Sequence, residues 1–239
     1  MFSPKKLSNI LFLDIETASI VPTYEDLPEN LKPLWDKKAR RYARDFPEDT
    51  PASEIFPQRA AIHAEFGRVV CISCGYLRFD ESGPHLTMKS FYGEDEHQIL
   101  ADFGPTMDQF HKKFGSDFQL CAHNGKEFDY PYLGRRYMVH GLELPHALQI
   151  QGKKPWEVNL LDTMELWKFG DYKAYTSLEL LTAILGVPSP KDDIDGSQVG
   201  RVFWEEKDYD RIMRYCEQDV KATAQVLLRM SRQPLIVEE

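Results

Sequence analysis

Two acidic residues, two positions apart, close an apolar run in ILFLDIET, where Asp14 and Glu16 follow Ile10 to Leu13. Strand side chains at i and i+2 share a face, so both carboxylates can reach one cation. Burying ionised carboxylates beside such a run is costly unless a cation or hydrogen bonds compensate. A third acid, Asp129, opens a helix after CAHNGKEF. In that stretch Asn124 offers an amide for a sugar or phosphate, and Phe128 offers a ring for a base. The fourth acid, Asp219, lies one helical turn after Tyr215 in RYCEQDVKATAQVLL. Singly, each acid has an ordinary role: a strand-end acid, a first-turn helix residue, an exposed aspartate beside a core-edge tyrosine. Jointly, four carboxylates and a tyrosine are what two-metal phosphodiester hydrolysis needs, with two divalent cations about 4 Å apart holding the attacking and leaving oxygens. Magnesium and manganese both suit an all-oxygen ligand set. A tyrosine, with an ordinary pKa near 10, serves there as a hydrogen-bond partner for the attacking water rather than as a bulk base.

The elements that must position these residues follow from periodicity. A chain of 239 residues, 42% hydrophobic and 12% aromatic, is expected to form one domain over 1–239, interrupted by an insertion at about 22–66. That insertion, rich in Pro, Glu and Arg, reads as one or two helices with looser flanks. Strand signals resume at Arg68–Arg78 and His85–Tyr92 around the turn FDESGP, which with the first run predicts a three-stranded meander. Glu94–Phe114 is predicted helical, with a break or kink at Gly104 and Pro105. A short strand at Phe118–Ala122, a helix at Asp129–His140, a strand near Val158–Leu161 and helices at Ser177–Leu185 and Asp208–Met230 complete the pattern. Three strands followed by helix-strand alternation predict an α/β fold, a mixed sheet flanked by helices.

The net charge of -9 argues, taken alone, against a nucleic-acid partner. Its distribution is uneven: LKPLWDKKARRYAR, from Leu31 to Arg44, carries six basic residues and one acidic. With Trp35 and Tyr42 among the charges, this stretch is either a clamp on single-stranded nucleic acid or a structural helix pair packed on the sheet. No apolar run approaches the roughly 20 residues of a membrane span, and the leading ILFL run is too short for a signal-peptide core, so a cytoplasmic location without a membrane partner is expected. Cys71 and Cys74 form a C-x-x-C without a second ligand pair or a turn, and the four cysteines show no disulfide spacing, so Cys71, Cys74, Cys121 and Cys216 read as buried thiols. In the loop GVPSPKDDIDGSQVG, Lys191 is a candidate phosphate contact, while Asp192, Asp193 and Asp195 lack the glutamate of a calcium loop. Asp162, at a strand end, is expected to cap the helix that follows.

The ordered set DIET at Asp14–Thr17, N-x-x-x-F-D at Asn124–Asp129 and Y-x-x-x-D at Tyr215–Asp219 resembles the three exonuclease motifs of the DEDD superfamily, tyrosine subgroup. More narrowly, it is similar to the predicted 3′-5′ exonucleases related to the proofreading domain of family B DNA polymerases. The resemblance implies a ribonuclease H-like five-stranded sheet and stepwise release of nucleoside monophosphates from a 3′ end. It implies that Asp14, Glu16 and Asp219 bind a first metal, that Asp14 bridges to a second, and that Asp129 holds the second through waters. It further implies that Tyr215 orients the nucleophilic water, that the Thr17 backbone meets the terminal 3′ hydroxyl, and that Asn124 and Phe128 line the path of the strand. Single-stranded DNA is the expected substrate. RNA, or binding without cleavage, are the alternatives left open.

Overall fold

The computed structural model describes residues 2–171, 173–188 and 193–236, so the Lys191 and Asp192 expectations lie outside the described residues. A short helix α1 (Pro4–Leu7) leads into β1 (Ile10–Ser19). Helices α2 (Lys32–Ala39) and α3 (Ala52–Arg59) follow, then the hairpin β2 (Gly67–Asp80) and β3 (Gly83–Tyr92). The chain continues through α4 (Glu96–Phe114), β4 (Gln119–Ala122), α5 (Asp129–Val139), β5 (Leu160–Asp162), α6 (Thr163–Lys168) and α7 (Leu178–Leu185). It closes with a single turn α8 (Val199–Arg201), a π-helical turn (Val202–Glu206) and the long α9 (Tyr209–Met230).

The five strands form one sheet in the order β3-β2-β1-β4-β5. The first three pair antiparallel as the predicted meander, while β1-β4 and β4-β5 pair parallel. This is the mixed, helix-flanked, ribonuclease H-like arrangement that the motifs implied. Alternation along β1 divides its side chains cleanly. Leu11, Leu13 and Ile15 enter a core with α4 and α5, whereas Ile10 and Phe12 pack under Val220, Ala224 and Leu227 of α9.

Two expectations are corrected. Helix α4 is not broken at Gly104 and Pro105. Pro105 removes the bond to the Ala101 carbonyl, yet the helix runs on through it; one residue earlier the Tyr137 hydroxyl donates to the Leu100 carbonyl at 2.7 Å, and an added Cβ at Gly104 would sit 3.3 Å from that same hydroxyl. Trp35 is not an accessible base-stacking ring. It is 0% exposed in a core of its own with Leu27, Ala39, Ile55, Phe56 and Phe66, and its indole N–H donates to the Ala52 carbonyl. Tyr42 is half-buried, with its hydroxyl against the His63 ring at 2.5 Å. The aromatic residues of the insertion thus belong to a helix pair, leaving Lys37, Arg40, Arg41 and Arg44 in solvent. The end of the insertion is fastened to α5, where Tyr132 and Arg136 donate to the carbonyls of Ala61 and Ala64.

Candidate active site

Helix α9 carries an apolar stripe that lies along the even-numbered face of β1. Val220, Ala224 and Leu227 cover Ile10 and Phe12, and Ile212 and Cys216 cover Ala18. Between these two clusters, on the same face, stand Asp14 and Glu16, and the register of the helix brings Asp219 to the same level. The charge of Asp219 is, after burial, the largest influence on both: burial and Asp219 hold the Asp14 and Glu16 carboxyls well above the usual carboxylate range.

Asp129 arrives from the other side. Strand β4 ends at Ala122 and its pairing with β1 stops at Phe12, so the β1 edge is open beyond that point. There Asp129, only 3% exposed in the first turn of α5, accepts a hydrogen bond from the Ile15 N–H at 3.2 Å. Burial pushes its carboxyl up to about 7, against the two backbone hydrogen bonds that favour its ionised form, with Asp162 and Asp219 adding repulsion. Four carboxylates from β1, α5 and α9, with Glu16 and Asp129 buried and Asp14 and Asp219 half-buried, therefore crowd one region and repel one another. This donor set suits a hard divalent cation, which would relieve both the burial cost and the repulsion.

Tyr215 lies one turn before Asp219 and packs, half-buried, against the cluster holding Phe203 and Ile212. The β1-β2 register shifts between Glu16 and Thr17, a bulge of the kind that re-aims side chains beside a site. The Thr17 side chain stands against the Tyr132 hydroxyl. Asn124 adopts the left-handed conformation (φ 61°), and its buried Oδ1 has no hydrogen-bond partner among the described residues. Gly125 follows where a Cβ would lie 2.5 Å from that of Ala122, a clash that only glycine avoids. Phe128 is half-buried, its ring 5.3 Å from that of Tyr132.

Three sets of contacts at the site were not apparent in the sequence. Asp162 caps α6 as expected, accepting from the Met164 and Glu165 N–H groups, but it also accepts from Asn124 and Lys126 and so clamps the loop that carries Asn124. His123 spans from the Thr163 hydroxyl to the Thr176 carbonyl, at 2.9 Å each. Cys216 sends its thiol to the Asp14 carboxylate at 3.4 Å, and one donor atom each of Asp14, Glu16 and Cys216 lie within 4.8 Å of one another. Cys71 packs in the same cluster as Cys216 while Cys74 enters the opposite core, so the C-x-x-C pair points to two faces of β2 and makes no zinc knuckle. All four thiols are free and buried.

A protein-family model described as a predicted 3′-5′ exonuclease related to the exonuclease domain of PolB matches residues 60–234. Asp14 and Glu16 fall before that range, but β1 is paired on both sides to strands inside it. An uncharacterized protein of Methanocaldococcus jannaschii is 27% identical over 127 residues, which is 52% of this chain and 66% of that one. Crystal structures of E. coli exonuclease I in complex with 5cy-dA13 and dT13 oligonucleotides each align with a TM-score of 0.43 at 12% identity. The alignments cover 94% and 93% of this chain and 40% and 42% of those chains, so this chain spans about two fifths of the length of exonuclease I. With three quarters of its length inside the family model, the chain belongs to the family of predicted 3′-5′ exonucleases related to the exonuclease domain of PolB.

Proposed function

We propose that the protein is a divalent-metal-dependent 3′-5′ exonuclease that releases nucleoside monophosphates from single-stranded DNA. The observation that carries this reading is the convergence of Asp14, Glu16, Asp129 and Asp219 from three elements into one mutually repelling group, two of its members buried and two half-buried. These four residues would hold two ions, magnesium or manganese, with Asp14 serving both. Bound there, the ions supply Lewis-acid stabilisation of charge on the phosphorus oxygens and lower the pKa of an attacking water.

The remaining work falls to the chain itself. Tyr215, one helical turn from Asp219, orients the attacking water by a hydrogen bond. The Thr17 backbone, beside the bulge, meets the terminal 3′ hydroxyl. The buried, unpartnered Oδ1 of Asn124 accepts from a donor on the substrate, since an acceptor left without one is costly. Phe128 flanks the terminal base. Lys191 remains a proposed phosphate contact. The reading treats 1–239 as one exonuclease domain acting in the cytoplasm.

DNA is favoured over RNA because the family is described by its relation to a DNA polymerase exonuclease domain. Digestion of matched 5′-labelled DNA and RNA strands with magnesium, manganese or chelator tests both parts. A metal-dependent ladder shortening from the 3′ end, faster on DNA, is expected. Faster digestion of RNA selects the exoribonuclease. Binding without cleavage of either leaves a nucleic-acid scaffold.

A further inference from the structure

Phe169 is the C-cap of α6, and its ring is 92% exposed. Its backbone is left-handed (φ 47°, ψ 32°), a conformation uncommon for a bulky residue and unfavourable unless its surroundings impose it. Six residues on, Tyr175 is 70% exposed. Neither ring belongs to any of the hydrophobic cores. A single apolar residue in water is ordinary, but two rings on one short connector, one held out by a strained backbone, form a distinct feature.

The connector is tied to the candidate active site. The Thr176 carbonyl, next to Tyr175, accepts from His123 Nε2, and Thr163, which opens α6, meets Nδ1 of the same ring. The Thr176 carbonyl oxygen can only accept, which assigns a proton to Nε2 and, in the neutral ring, leaves Nδ1 to accept from the Thr163 hydroxyl. Burial lowers the pKa of that histidine, in keeping with a neutral ring. His123 immediately precedes Asn124, whose buried Oδ1 has no partner among the described residues, and the same loop leads to Asp129. At the other end of the connector, Asp171 N–H bonds to the Lys168 carbonyl and Lys173 N–H to the Asp171 carboxylate. Lys168 adjoins Phe169 in the sequence and Lys173 follows four residues later. From Glu165 to Tyr175 the charges balance, two acids against two lysines, in a chain whose net charge is -9.

From this placement we infer that Phe169 and Tyr175 form a stacking platform for the bases of single-stranded DNA whose 3′ end occupies the carboxylate site. The inference rests on the exonuclease reading for the position of that end. Every base presents a π-face, so such a platform holds the strand without selecting its sequence, and Lys168 and Lys173 meet the phosphates.

The test is binding of single-stranded DNA carrying the fluorescent base 2-aminopurine near its 3′ end, in chelator so that no hydrolysis intervenes. The full chain is compared with Phe169→Ala, Tyr175→Ala, the double variant, and Phe169→Trp. Stacking predicts quenching of the base by the wild type. It predicts a loss of affinity of about 10- to 100-fold for each alanine variant, and retained affinity for Phe169→Trp. An otherwise identical strand with abasic sites at those positions should bind wild type and variants equally. Equal affinity and equal quenching across all variants would overturn the platform, as would no binding of DNA by the wild type. Failure of the exonuclease reading shows differently: binding and quenching persist, while restored metal brings no hydrolysis.

Discussion

Asp129 Oδ1 accepts a hydrogen bond from the backbone N–H of Ile15 at 3.2 Å, joining residues 114 apart in sequence. One oxygen thus satisfies a strand edge that β4 leaves open, and the same carboxylate lies among the other acids. The two jobs are separable by substitution. Asp129→Asn keeps a carbonyl oxygen for Ile15 and removes the charge, so its melting temperature in chelator should match or exceed that of wild type. Its hydrolysis of a 5′-labelled strand should fall by at least about 10²-fold. Thermal melts and single-turnover digestion measure the two effects independently.

Asp162 should behave in the opposite way. It is 1% exposed and accepts from four backbone N–H groups, two in the first turn of α6 and two in the loop holding Asn124. Asp162→Ala removes a helix cap and orphans loop donors, costing about 2–4 kcal/mol in urea unfolding. Asp162→Asn retains one acceptor oxygen and should cost less. Equal unfolding free energies for Asp162→Ala and wild type would contradict the clamp.

Tyr215→Phe should reduce hydrolysis less than loss of any one of the four acids, because the carboxylates proposed to hold the ions are untouched. Rates across pH 6 to 9 test the assignment. An unchanged rate throughout would remove Tyr215 from the orientation of the water.

His63, beside Tyr42 in the insertion, supplies a pH dependence away from the site. Burial, aided by the charge of Lys38, lowers its pKa from 6.5 to about 4. Between those values the unfolded chain binds more protons than the folded one. Its contribution to stability is therefore complete above pH 6.5 and is lost as pH falls through 4. The melting temperature of wild type should decline over this window more steeply than that of His63→Gln. Parallel declines would mean that His63 titrates alike in both states.

Much of this arrangement was legible in the sequence because it follows from short-range rules. The apolar run ahead of Asp14 marked β1, the i, i+2 spacing put Asp14 and Glu16 on one face, and the caps Ser177 and Asp208 marked the starts of α7 and α9. What was not legible depends on tertiary register. Nothing local says that Val220 covers Phe12 while Cys216 covers Ala18, which is what sets Asp219 against the β1 acids. The thiol of Cys216 and the two loop bonds of Asp162 were hidden for the same reason. Trp35 is a different case. Leu31, Trp35 and Ala39 recur every fourth residue, a buried-face spacing masked by the lysines and arginines between them.

The central claim is that Asp14, Glu16, Asp129 and Asp219 form one cation site. Its most direct test is calorimetric titration of manganese into the 239-residue chain without nucleic acid, alongside Asp14→Asn and Asp219→Asn variants shown to be folded by circular dichroism. Saturable binding by the wild type, weakened at least about tenfold in both variants, is the predicted result. Equal manganese affinity in all three proteins would contradict it.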